Sequence, residues 1–333
     1  MCAPAACSHK PRWVSLSAVS FALVLCAQLG CQPAPTASAQ ERASRAAPSA
    51  YEPPEQVDRV VSPRVDTAEA EAPALRIVSA APNVTEICCA LGLREMLVAR
   101  TKYCVHPPGI ASVPSIGALV DVDLEFLLEL KPDLILVSGA SRAQSEKLAS
   151  LGLRFETLPD TSLSDLFAAI RRVGALTGRA RTAESLCREI HEQLDRAQAR
   201  FRGGAPARVL LLTGVLSDPP RPPFVAGAGS FYEELLRLGG HANAIGGAAF
   251  AALSLEAIVE ADPDVIIELD PAADRDARGD AAARRVWSAL GPLRAVQTGR
   301  IRVLHGPQHY LLGPRIAQTA AALLSAVAEP TDG

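Results

Sequence analysis

The chain has 333 residues, 49% hydrophobic and 21% charged, which supports a folded core of two-lobe size and excludes wholesale disorder. A formal net charge of −3 excludes a broadly basic nucleic-acid footprint. Aromatics make up only 4%, and the eight Cys are irregularly spaced with no CxxC, which excludes a zinc ribbon, a thioredoxin-type motif and a small disulfide scaffold.

Lys10 and Arg12 precede a charge-free apolar run from Trp13 to Leu29. That layout reads as an export signal over residues 1–30, and the run is short and Ser/Ala-rich for a membrane span. It ends in Leu29-Gly30-Cys31, which resembles a bacterial lipoprotein box with Cys31 as the lipidated residue, although Gln28 stands where such boxes usually carry Leu. Cleavage after Ala37-Ser38-Ala39 is a second reading, but that site lies far beyond the apolar run; an uncleaved anchor is a third. Residues 31–74 are Pro, Ala, Ser and Glu with almost no apolar period, so they are expected to be a disordered tether between the envelope membrane and a globular module.

From Leu75 the pattern alternates strands and helices, as in a mostly parallel sheet covered by helices. The N-terminal lobe, residues 75–160, is predicted to contain strand Arg76–Ala81, helix Thr85–Leu91 closed by Gly92, and strand Leu97–Ala99. Helix Asp123–Leu130, strand Leu134–Val137, helix Gln144–Leu151 closed by Gly152, and strand Leu153–Leu158 complete it. A helical linker fills residues 161–204, broken near Gly174 to Gly178 and stopped by Gly203-Gly204. Within it, Ala180–Phe201 is long enough for about 33 Å of helix. The C-terminal lobe, residues 205–329, restarts with strand Arg208–Leu212 and helices Phe231–Leu238 and Leu255–Ala261. Strands Val265–Leu269 and Ile301–Leu304 and helix Pro314–Ala328 follow.

The restart is a repeat. Residues 123–137 align without gaps to 254–268, with identities at Leu124/Leu255, Glu125/Glu256, Glu129/Glu260, Pro132/Pro263, Asp133/Asp264 and Ile135/Ile266. A weaker match sets Glu86–Gly92 against Glu233–Gly239. The predicted fold is therefore α/β, with two similar lobes of mostly parallel sheet joined by one long helix and a ligand cleft between them. Asp123 and Ser254 are suited to N-cap positions, which puts Glu125 and Glu256 in the first helical turn. With Leu124, Leu127 and Leu128 as the buried stripe, both glutamates point outward. One such Glu would merely complement a helix dipole, for about a few tenths of a kcal/mol. Two at one repeat position suit docking onto two basic partners related by symmetry.

Taken in order, several segments resemble the helical-backbone, metal-chelate class of ABC-importer substrate-binding proteins. They are Arg76-Ile-Val-Ser-Ala-Ala-Pro-Asn-Val-Thr-Glu86, Tyr103-Cys-Val-His-Pro-Pro108, Asp123-Leu-Glu125 with Leu130-Lys-Pro-Asp-Leu-Ile135, Pro222-Pro-Phe224, Leu238-Gly-Gly-His-Ala-Asn243, Leu255-Glu256 with Asp262-Pro-Asp264, and Gly313-Pro-Arg-Ile316. The likeness covers about residues 75–328, and the vitamin B12-binding branch is nearest. It implies a ligand held between the lobes, a cobalt corrinoid or an iron chelate, with ferric siderophore and haem as the alternatives to cobalamin. It implies Glu125 and Glu256 as the contacts to an ABC permease, which couples to the ATPase subunits. It also implies ligand contacts at Tyr103, His106, Phe224 and Phe250 and in the loop His305–Tyr310, where His309 and Tyr310 are the candidates. The implied protein is an exported, envelope-located monomer without catalysis, resident cofactor or metal ligands of its own. Two features depart from the B12 branch: Leu119 stands near its pocket Trp position, and Gln308-His309-Tyr310-Leu-Leu-Gly has no acid before Pro-Arg-Ile.

Each candidate has a plainer reading. His106, a ligand contact or even an axial metal ligand, is equally a loop residue braced by Pro107-Pro108, and His309 and Tyr310 equally pack their own loop. Cys88, Cys89 and Cys187 are expected to pack as small hydrophobes, while Cys104 is expected to be exposed. Asn83 and Thr85 read as helix caps, and Phe224 as an aromatic on a Pro-stiffened loop. An exported enzyme is the main competing class, but there is no GxSxG, HExxH or Walker loop, and Gly227-Ala-Gly229 lacks the third glycine of a dinucleotide fingerprint. The six His are too dispersed for a free-metal binder. Against a ligand sensor that meets no transporter stand only the two glutamates.

Overall fold

A strand buried on both faces sends alternate side chains to two different cores, and the central strands of this protein do so in both lobes. The structure is a computed structural model that describes residues 75–118, 121–139, 142–272 and 279–328. The predicted signal, the tether with Cys31, and Leu119 lie outside the described residues.

The N-terminal lobe begins with β1 (Ile77–Ser79), α1 (Pro82–Ala90), β2 (Leu97–Arg100) and the short antiparallel pair β3 (Gly117–Ala118) and β4 (Asp121–Val122). It continues with α2 (Leu124–Glu129), β5 (Leu134–Ser138), α3 (Arg142–Ser150) and β6 (Phe155–Leu158). Its main sheet runs β2-β1-β5-β6, all parallel. Next come α4 (Leu163–Thr177) and α5 (Ala180–Phe201), the 22-residue backbone helix.

The C-terminal lobe comprises β7 (Arg208–Leu212), β8 (Phe224–Ala226), α6 (Phe231–Leu238), β9 (Ala242–Asn243), β10 (Phe250–Ala252) and α7 (Leu255–Ala261). After these come β11 (Val265–Asp270), α8 (Asp280–Ser288), α9 (Arg294–Gln297), β12 (Ile301–His305) and α10 (Ile316–Ala328). Its sheet runs β10-β8-β7-β11-β12, with β9 also on β7; only β8 and β10 are antiparallel to their neighbours. The two-lobe, mostly parallel architecture holds. Phe224 lies in a strand rather than the predicted loop, and β9, β10, α8 and α9 were not anticipated.

The helical linker folds back on itself. Gly178, in the left-handed region at φ 70°, ends α4, and α5 returns along it. Phe167 stacks on His191 with ring centroids 3.8 Å apart, and Arg171 Nε meets Glu184 Oε1 at 2.8 Å. Gly174 stays inside α4, where an added Cβ would lie 2.5 Å from the Ala183 Cβ and 3.0 Å from the Arg179 carbonyl oxygen.

The repeat recurs in hydrogen bonds. The Arg76 amide donates to Asp133 Oδ2 at 2.8 Å, and the Arg208 amide donates to Asp264 Oδ2 at the same distance. The two guanidinium groups donate to the carbonyls of Leu130 and Ala261, which are repeat partners. Lys131 and Asp262, also partners, are among the described residues the non-glycine ones with positive φ, at 43° and 39°.

Val78, Ile135 and Val137 serve an outer N-terminal core, and Leu210, Leu212 and Ile266 an outer C-terminal core that includes Trp287. Ile77, Leu134 and Leu136 point the other way, as do Val209, Leu211, Val265 and Ile267. These second faces meet in one continuous core with α1, α4, α5, α6 and α10. The lobes therefore share their largest buried apolar surface.

Candidate functional site

In parallel sheets ligands bind beyond the carboxyl ends of the strands. Here those ends include Ser79, Arg100 and Ser138 in one lobe and Leu212, Asp270 and His305 in the other. The loops that follow them carry the candidates. Tyr103 is exposed in the loop after β2, with Lys102 Nζ 5.2 Å from its ring centroid. His106 is half-buried in that loop, and burial together with the Arg315 charge lowers its pKa against an opposing pull from Glu86. Its imidazole is therefore neutral at neutral pH. Phe224 opens β8 at the carboxyl edge of β7, where its carbonyl accepts from the Thr213 amide at 3.0 Å.

Phe250 lies deeper. It pairs with Ala226, and Ala252 pairs with Phe224, so both rings stand on one sheet face as diagonal neighbours. Its ring meets Tyr232 edge-on at 6.3 Å. His309 and Tyr310 are turned into the lobe. His309 is 7% exposed, its Nδ1 lies 3.3 Å from Thr319 Oγ1, and its carbonyl accepts from the Tyr232 hydroxyl at 2.6 Å. The Tyr310 hydroxyl donates to the Leu269 carbonyl at 2.5 Å. As packed, these two side chains brace the loop 305–310 on the sheet.

Sequence reasoning missed the tie between the lobes. Arg315 Nε donates to Glu86 Oε2 at 2.9 Å and its Nη2 to Oε1 at 2.5 Å, and the Glu86 side chain is 4% exposed. Beside this fork, Asn83 Nδ2 donates to Ser138 Oγ at 2.8 Å and reaches the Leu312 carbonyl at 3.5 Å. Gly313 fits against Asn83 and Glu86, with an added Cβ 3.6 Å from Glu86 Oε2. The repeat partner of Glu86, Glu233, stays within its own lobe, bound to Arg237 and the Asn243 amide. The signal was present in the sequence, because Glu86 and Arg315 lie in two of the quoted segments.

Three smaller expectations are corrected. Cys104 is 1% exposed, 3.1 Å from Thr101 Oγ1, because the loop folds back over it. Asn83 and Thr85 make no cap: Ala81 is the N-cap, Pro82 follows, and Thr85 Oγ1 bonds Ser79 Oγ at 2.7 Å. Leu128 is exposed and Phe126 packs in its stead, because α2 covers its sheet through Leu127 with Leu124 and Phe126 on either side.

The docking candidates stand on short capped helices. Asp123 Oδ1 accepts from the Phe126 amide at 2.9 Å and Ser254 Oγ from the Ala257 amide at 3.2 Å. Glu125 and Glu256 are both exposed in the first turn. Among the described residues no group of three or more His, Cys, Asp or Glu could hold a metal ion, and no helix is long and apolar enough to cross a membrane.

A model of the periplasmic binding protein family matches residues 77–307. A vitamin B12-binding protein of Pectobacterium atrosepticum is 26% identical over 201 residues, covering 58% of this chain and 70% of that one. An uncharacterized ABC transporter substrate-binding lipoprotein of Bacillus subtilis is 28% identical over 202 residues, 59% of this chain and 63% of its own. Among solved structures, a periplasmic haem-binding protein of Pseudomonas aeruginosa superposes with a TM-score of 0.63 at 28% identity, over 76% of this chain and 92% of that one.

Proposed function

Because the chain belongs to the periplasmic binding protein family, we propose that it is the ligand-capturing subunit of an ABC importer, with a metal chelate as cargo and cobalamin as the first choice. The observation that carries the cargo is the sequence likeness to vitamin B12-binding proteins. The site chemistry supports a large flat ligand: an exposed Tyr103 on one lobe, Phe224 at the strand edge of the other, and a neutral His106 beside the inter-lobe ion pair. Aromatic faces offer rigid stacking area at low entropic cost. Glu125 and Glu256 dock the loaded protein on the permease, and lipidation at Cys31 tethers it to the membrane. A chelate captured in this way is handed on unchanged.

Haem is the second reading, favoured by the 28% identity to the Pseudomonas aeruginosa haem-binding protein. Thermal unfolding with cyanocobalamin, haemin and a ferric siderophore separates the cargoes. A ligand present at 100 times its Kd stabilises by about 2.7 kcal/mol. Cyanocobalamin is expected to raise Tm in wild type and to lose about tenfold or more in affinity with Phe224→Ala. A shift with haemin alone would transfer the assignment to haem.

A further inference from the structure

Five large apolar side chains are exposed among the described residues, and two of them, Leu128 at 44% and Val259 at 46%, are repeat partners. Each lies one helical turn after a docking glutamate, Glu125 or Glu256. Each is followed by a further acid, Glu129 or Glu260. Residues at i, i+3 and i+4 share one helix face, so each lobe shows an apolar knob beside a pair of carboxylates. All four glutamates are exposed, and among the described residues none makes an ion pair or hydrogen bond with another side chain. On the C-terminal lobe the face opens into a groove of about 500 Å³ lined by Leu255, Glu256, Val259, Glu260, Ala289 and Leu290. The placement of such knobs is informative, because the opposite faces of α2 and α7 bury Leu127 and Ile258 as the fold requires.

We propose that Leu128 and Val259 are the apolar centres of two equivalent docking contacts, with Glu125/Glu129 and Glu256/Glu260 as their acidic rims. The occupant of each is a short segment carrying an apolar residue flanked by Arg or Lys, presented by each of two like permease subunits. Charge complementarity selects a basic partner, and the duplication of the face selects a partner with two-fold symmetry. Centre and rim divide the work: burying the knob slows dissociation, whereas the carboxylates steer approach. This inference rests on the importer reading above.

The test titrates the labelled full chain against its importer complex in lipid nanodiscs, with empty nanodiscs subtracted, at several salt concentrations. Leu128→Ser with Val259→Ser is expected to weaken binding about tenfold or more, with the salt dependence unchanged. Glu129→Gln with Glu260→Gln is expected to lower the association rate and flatten the salt dependence. Wild-type affinity in the Ser pair, alongside lost binding in Glu125→Ala with Glu256→Ala, would overturn the apolar centre and leave docking standing. Wild-type affinity in all three pairs would overturn the docking reading itself. A self-associated wild type that the Ser pair renders monomeric would reassign both faces to a second copy of the chain.

Discussion

His309 shows what a burial pattern does to a single titratable group. Enclosure in the lobe, with Arg315 and His305 nearby, pushes its pKa down from 6.5 to about 4. An unfolded chain takes up this proton near pH 6.5, whereas the native state resists it until about pH 4. Stability is therefore full above pH 6.5 and falls as the pH drops toward 4, by up to about 3 kcal/mol. Replacing His309 with Gln, which keeps a donor for Thr319, is expected to flatten Tm against pH across that window. An unchanged slope would assign the acid sensitivity to other groups. The loop 305–310 was legible as a feature of interest, but its side-chain direction was not. Whether an imidazole faces a cleft or a core depends on partners such as Thr319 and Tyr232, which are remote in sequence.

Helices and strands were legible where the period was clear and the length sufficient. Helices Phe231–Leu238 and Leu255–Ala261 and strand Arg208–Leu212 fall on the predicted bounds. The strands β8, β9 and β10 escaped because each has only two or three residues, and Pro222-Pro223 before Phe224 signals a loop. The break in the helical linker was placed in the right region, but its two glycines do different work. Gly178 turns the chain, and Gly174 lets α4 and α5 touch. Gly174→Ala makes this distinction measurable. Better helix propensity stabilises by about 1 kcal/mol, whereas a Cβ forced against Ala183 and a backbone carbonyl costs about 1–3 kcal/mol. Net destabilisation is expected, read as a lower urea midpoint with the m-value unchanged. A higher midpoint would show that the helix pair has room to separate.

At the scale of the whole molecule, the shared core decides how the cleft behaves. Inner faces of both sheets pack on the same helices, and Arg315 forks onto the buried Glu86 across the lobes. Swinging the lobes apart would expose that core and separate the Arg315–Glu86 pair. Small-angle scattering with and without saturating ligand is expected to give the same radius of gyration within error. A clear compaction on binding would show a hinge that this packing does not contain.

The amino-acid sequence alone determined the α/β class, the duplication and the outward station of Glu125 and Glu256. Hydrophobic period, N-cap chemistry and a gapless repeat are local properties, carried by residues close together in the chain. Only the tertiary structure decided that the two lobes share one core, that Glu86 and Arg315 tie them, and that Leu128 and Val259 stand exposed at matching places. The first two depend on surfaces that meet across more than a hundred residues, and the third on how each short helix lies on the sheet of its own lobe. The same period-two and helical patterns that specify an element do not specify the neighbour that covers it.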